Sequence, residues 1–182
     1  MRSHGTGSAG ATNAARLLGK RAFALVFVAD LAKGALAVAL ARWLSDDEAV
    51  WALAAVAVTA GHVWPAQLGF KGGKGIATAW GAAWVYAPFV ALLAAATAGL
   101  AFLAGTRFVL SGLVAVAAAP AIAAALGLSG PVLAGIAAQA VLVLVAHRRN
   151  IAGMLTSGES WRRRSGGRRA RSHPRPVDGS PS

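Results

Sequence analysis

Between two strongly apolar stretches the chain reads Gly61-His62-Val63-Trp64-Pro65-Ala66-Gln67-Leu68-Gly69-Phe70-Lys71-Gly72-Gly73-Lys74-Gly75-Ile76-Ala77-Thr78. Glycine-rich backbone can turn its N–H groups inward onto an anion, and a lysine on each side of Gly72-Gly73 adds charge. That is chemistry for a phosphate, and the apolar flanks suggest a phosphate whose other end is greasy. The spacing excludes a nucleotide P-loop, which places four residues between Gly and Gly-Lys and then Ser or Thr. A Gly-x-Ser-x-Gly nucleophile elbow is absent, and with no cysteine in the sequence there is no thiolate nucleophile, thiolate metal site or disulfide.

Two further groups of residues fit the same chemistry. Gly5, Gly7 and Gly10 alternate with Thr6, Ser8, Thr12 and Asn13, which reads as a second backbone-donor loop followed by Arg16. His147-Arg148-Arg149-Asn150 closes the last apolar stretch. No metal is expected, because His62 and His147 lack a nearby acidic ligand pattern. Neither histidine opens the His-x4-Asp pair of soluble-donor lipid acyltransferases: Gln67 follows His62 and Ala152 follows His147 at that distance.

The elements that must hold these groups are membrane helices. The 182 residues are 57% hydrophobic and 13% charged, with long apolar runs. Residues 22–44 reach ~34 Å as a helix, enough to cross a hydrocarbon core. Asp30 and Lys33 lie inside this span, one turn apart on one face, as a neutralising pair or the polar wall of a cavity. Apolar segments follow at 49–63, 76–87, 88–105, 108–126 and 131–147, with a turn expected at Tyr86-Ala87-Pro88 because Pro suits a helix N1 position. The fold class is all-α, a polytopic membrane bundle of about six spans if 76–87 is a crossing. Arg16, Lys20, Arg21, Lys71, Lys74, Arg107, Arg148 and Arg149 then share the cytoplasmic face, opposite Asp46, Asp47 and Glu48. Arg42 is the exception, near enough to the outer interface to snorkel. Trp43, Trp51, Trp84 and Tyr86 suit an outer aromatic belt, Trp64 and Trp161 an inner one. Seven of the eighteen Lys/Arg residues behind the net charge of +12 lie in a disordered basic tail at 160–182, suited to anionic lipid; no nucleic-acid-binding module accompanies it. The three polar groups thus converge on one side of the bilayer as a site for one or two phosphates.

These residues resemble the acyl-phosphate-dependent glycerol-3-phosphate acyltransferases, the PlsY family, over roughly residues 5–159. The first family motif, Gly-Ser-Gly-Asn-x-Gly-Ala-Thr-Asn-x-x-Arg, reads Gly5-Thr6-Gly7-Ser8-Ala9-Gly10-Ala11-Thr12-Asn13-Ala14-Ala15-Arg16 here. The second, Gly-His-x-x-Pro with Phe-Lys-Gly-Gly-Lys-Gly-x-Ala-Thr, is kept from Gly61 to Thr78. The third is represented by His147, Asn150, Ile151, Leu155, Gly158 and Glu159. Thr6 and Ser8 replace the family's serine and asparagine, and Gly153 stands where an arginine is frequent. The family has a seventh span ahead of the first motif, where this sequence begins.

The resemblance implies a membrane acyltransferase domain at 1–159. It would move an acyl group from acyl phosphate to the 1-hydroxyl of glycerol-3-phosphate, giving lysophosphatidic acid at the cytoplasmic face of a bacterial membrane. It implies no cofactor and no partner beyond the two substrates and membrane lipids. Lys71, Lys74 and the amides of Gly72, Gly73, Lys74 and Gly75 would hold glycerol phosphate. Arg16 with Thr6, Ser8, Gly10, Thr12 and Asn13 would hold the acyl-phosphate head. His147 and Asn150 would orient the hydroxyl, with His147 or the leaving phosphate taking its proton, and His62 would be structural beneath the loop. The alternatives are a truncated or inactive family member, and a membrane transporter or binder of an organic phosphate.

Overall fold

The computed structural model describes residues 10–153, and among these there are helices and loops but no strand. Thr6 and Ser8, with Gly5 and Gly7 beside them, lie outside the described residues, as do Leu155, Gly158, Glu159, Trp161 and the basic tail. Packing divides the chain into two units, Met1–Ala146 and His147–Ser182.

The first unit contains α1 (Ala11–Leu18), α2 (Lys20–Leu44), α3 (Glu48–Val63), a 3₁₀ turn at Ala66–Leu68, α4 (Ile76–Tyr86), α5 (Pro88–Leu103), α6 (Phe108–Ala125) and α7 (Gly130–Ala146). In the second unit, residues 148–153 are helical and the Ile151 N–H donates to the His147 carbonyl at 3.0 Å. The turn expected ahead of Pro88 is present, since Ala87 leaves helical geometry (φ −149°, ψ 62°) and α5 starts on the proline. The N-terminal expectation is corrected for Thr12 and Asn13, which stand on a helix and not in an amide-donating loop; Arg16 follows on the same helix. The alanine-rich run 11–18 favours helix. Glycines bound it, and Gly19 (φ +84°) breaks it from α2.

Among the described residues, three segments are long and apolar enough to cross a membrane: Lys20–Leu44, Glu48–Leu68 and Phe108–Ala125. Pro88–Leu103 and Gly130–Ala146 are apolar but shorter. At 11 residues, α4 reaches only ~17 Å, about half a hydrocarbon core.

This short helix is the hub, packed against α2, α3, α5, α6 and α7. Small residues permit the closeness. A Cβ on Gly34 of α2 would land on the Thr78 carbonyl, and one on Gly81 of α4 on the Leu31 carbonyl. Gly135 of α7 lies as tightly against Ala52 of α3, where a Cβ would meet the alanine's Cβ at 2.8 Å. Lipid tails are as apolar as leucine, so helices in a bilayer gain from backbone approach and interhelical hydrogen bonds more than from greasiness.

The end remote from the Gly-rich loop is tied by side chains. Asp47 caps α3 by accepting from the Ala49 N–H at 2.8 Å. The Trp51 indole donates to the Ser45 carbonyl at 2.6 Å, and the Ser129 hydroxyl donates to Glu48. Arg42 does more than snorkel. Its guanidinium lies 4.6 Å from the centre of the Trp51 ring and donates to the Val85 carbonyl at 2.5 Å. Tyr86 is corrected as a belt residue. It is buried, and its hydroxyl donates to Gln139 Oε1 at 2.6 Å, because a glutamine on α7 supplies the partner a buried phenol needs.

Candidate active site

The loop after α3 is built from the helix's own leftover acceptors. Trp64 ends the helix by donating to the Ala60 carbonyl at 2.8 Å, and Pro65 cannot continue it. The Pro65 carbonyl then accepts from both Leu68 and Phe70 at 3.0 Å. Gly69 (φ +60°) and Phe70 (φ +58°) take left-handed backbone in succession, which reverses the chain. The returning strand of the loop lies on the last turn of α3. The Gly72 N–H donates to the Val63 carbonyl and the Gly73 N–H to the His62 carbonyl, each at 3.1 Å.

That pairing corrects the amide-nest expectation for Gly72 and Gly73, whose N–H groups are spent on helix carbonyls. Carbonyls at a helix C-terminus lack intrahelical donors, and these two glycines supply them. Their missing side chains serve the same contact. A Cβ on Gly72 would strike the His62 carbonyl and the Pro65 ring, and one on Gly73 the His62 imidazole. Gly75 (φ +85°) turns the chain into α4, whose first-turn amides follow directly after Lys74.

Lys71 is exposed on this loop, whereas Lys74 is half-buried. Burial lowers the Lys74 pKa from its ordinary value, and the positive charge of Arg16, from α1, lowers it further. The fold therefore brings together the cations of the first two sequence groups, at a helix N-terminus. Two positive charges in electrostatic reach of each other, exposed Arg16 and half-buried Lys74, are unfavourable by themselves and attract an anion. Of the other first-group residues, Asn13 is buried on α1, Thr12 is exposed, and Gly10 caps the helix in extended backbone. In the second unit His147 is buried and Asn150 half-buried.

Two features escaped the sequence. The imidazole of His62 is linked to Asp30 and Lys33 of α2, a pairing across 29 residues that no local spacing encodes. Thr78, in the first turn of α4, is fully buried with a hydroxyl that has no hydrogen-bond partner among the described residues. Its place at the end of the Lys-rich motif was the available signal.

A family model described as glycerol-3-phosphate acyltransferase matches residues 1–157. The chain belongs to the glycerol-3-phosphate acyltransferase (PlsY) family. It is 44% identical over 166 residues to glycerol-3-phosphate acyltransferase 1 of Desulfitobacterium hafniense, covering 90% of this chain and 81% of that one. It is 39% identical over 164 residues to the glycerol-3-phosphate acyltransferase of Alkaliphilus metalliredigens, covering 87% and 80%. The fold is similar to a solved PlsY (YgiH), described as an integral membrane glycerol 3-phosphate acyltransferase in its glycerol 3-phosphate form. The TM-score is 0.80 at 34% identity, over 86% of this chain and 78% of that one. A second PlsY structure, in a lysophosphatidic acid form, gives a TM-score of 0.77 at 34% identity. This acyltransferase is thus an all-helical integral membrane protein whose short central helix opens on the Lys71–Lys74 loop.

Proposed function

We propose that this acyltransferase moves an acyl group from acyl phosphate to the 1-hydroxyl of glycerol-3-phosphate, forming lysophosphatidic acid. The observation that carries the reading is the Lys71–Lys74 loop, which runs through Gly75 into the N-terminus of α4 with Lys74 half-buried there. Both proposed substrates bear phosphate, so a site built from two cations and a helix N-terminus suits them. The acyl chain of the donor stays among apolar helices while its head meets the polar end. The family's solved forms, named for glycerol 3-phosphate and lysophosphatidic acid, support the acceptor and the product.

An acyl phosphate is a mixed anhydride and already activated. The glycerol hydroxyl attacks the acyl carbon, a C–O ester bond forms, the C–O bond to phosphate breaks, and phosphate leaves. The hydroxyl proton passes to His147 or to the departing phosphate. No enzyme nucleophile is needed, and the barrier falls by positioning and charge stabilisation. In this scheme Lys71 and Lys74, with the backbone from Gly75 into the first turn of α4, hold glycerol phosphate, while Gly72 and Gly73 shape the loop. Arg16, Thr12, Asn13 and Gly10 hold the acyl-phosphate head together with Thr6 and Ser8, and His147 and Asn150 orient the hydroxyl. The basic residues of the loops support a site on the cytoplasmic face of a bacterial plasma membrane.

Membranes containing the full chain, fed acyl phosphate and labelled glycerol-3-phosphate, are expected to make labelled lysophosphatidic acid. His147→Ala is expected to abolish it. Undiminished product from that variant removes His147 from the site. Vesicle uptake of the label with no acylated product replaces the enzyme reading with transport.

A further inference from the structure

Asp30 lies ten residues into α2, ~15 Å below its start, in a helix long enough to span the bilayer. Charge at such depth is costly and faces the protein interior or a partner. Lys33 Nζ stands 2.7 Å from Asp30 Oδ1, which completes a neutral i,i+3 pair. The cluster goes further. Lys33 Nζ also lies 2.5 Å from His62 Nδ1, and that nitrogen lies 3.4 Å from Asp30 Oδ1. A ring nitrogen accepting from an ammonium carries no proton, so the imidazole proton belongs on Nε2. The Nε2 and Cε1 edge of the ring fills the space a Cβ on Gly73 would need, and the His62 carbonyl accepts from the Gly73 N–H. His62 therefore touches the loop twice, once through backbone and once through a ring that α2 holds by its other edge.

We infer that Asp30 and Lys33 are positioning residues: they fix the His62 ring as the support on which Gly73 rests, and so set where Lys74 meets the phosphate of glycerol phosphate. The role rests on the glycerol-phosphate reading above, and one of its three tests does not.

In the full chain, purified in nanodiscs, Lys33→Met and Asp30→Asn are expected to raise the KM for glycerol-3-phosphate about tenfold, since small misplacements carry large kinetic costs. The KM for acyl phosphate is expected to stay put and kcat to fall less than about threefold, while the thermal midpoint falls in Lys33→Met, which leaves Asp30 unneutralised, and Lys33→Arg recovers most of both losses. Equal rises in both KM values, or none, overturn the proposal. A second pair guards against misfolding. Gly73→Ala places a methyl on the ring, and His62→Ala removes the ring, so His62→Ala/Gly73→Ala is expected to have a KM no worse than His62→Ala alone. Additive losses overturn the contact. Hydrogen exchange at the Gly72 and Gly73 amides needs no turnover. Faster exchange in Lys33→Met supports the support role even if the wild type proves inert toward glycerol-3-phosphate, an outcome that sinks only the reading of the substrate. Unchanged exchange overturns the proposal whatever the activity.

Discussion

Two polar clusters join helices of this bundle, and they are built differently: one is buried, the other opens to the outside at Lys33. Between α3, α4 and α7, Tyr86 donates to Gln139, whose amide donates to the Ala55 carbonyl at 3.0 Å and to Thr59 at 2.9 Å. The Thr59 hydroxyl then donates to the Ala55 carbonyl at 2.8 Å. Every member is neutral and the network closes on itself. Between α2 and α3, Asp30, Lys33 and His62 are ionisable, and their network ends on the loop that carries Lys71 and Lys74. A neutral closed network joins helices at modest gain and fixes their register. A charged one costs more and is retained where something depends on its geometry. The two regions meet at Gly75, where a Cβ would lie 3.3 Å from the Thr59 methyl and 3.2 Å from Val63.

Substitutions can break this contrast, beginning with the largest expected effect. Lys74→Met is expected to lower kcat/KM for glycerol-3-phosphate by about 10²–10³-fold, the range for losing one charged stabiliser. It is also expected to raise the thermal midpoint. A lysine whose pKa is depressed in the fold costs stability while it is charged; that cost is full below the folded value, shrinks as pH rises through it and is gone above the unfolded value. A midpoint that falls with activity would make Lys74 structural, like Gln139.

The pH profile comes next. The kcat/KM follows the free enzyme, so its alkaline limb is expected below the usual lysine range. Arg16→Gln removes one of the two causes of the depression, so the limb moves to higher pH while the rate falls. Lys74→Arg, always charged, moves it further still. A limb that ignores both changes belongs to another group.

Smaller effects are expected from the neutral cluster. Tyr86→Phe leaves Gln139 Oε1 without its donor and should cost about 1 kcal/mol in unfolding, with both KM values unchanged. A KM shift there would show that the clusters are coupled through Thr59 and Gly75. Arg42→Ala, which releases the stacked ring of Trp51 and the Val85 carbonyl, should cost about 0.5–1 kcal/mol and leave kinetics alone.

Residue types and their spacing determined much of this protein. Long apolar runs dictate membrane helices, Pro88 and the glycines mark where helices end, and the Gly-Lys pattern of 61–78 is specific enough to name a phosphate and a family. These are local properties, set by backbone preference and composition. Tertiary structure decided what those properties serve. Gly72 and Gly73 read as an anion nest, yet the fold spends their amides on α3, because helix carbonyls need donors and these are the nearest. Thr12 and Asn13 read as loop and stand on a helix. Tyr86 reads as a belt residue and is buried, since its partner lies 53 positions away. Asp30 and Lys33 read as a pair and become a triad with His62 only when α2 and α3 are antiparallel and packed. Hydrogen-bond partners distant in sequence leave no periodicity to read, so they become legible only once packing has brought them together.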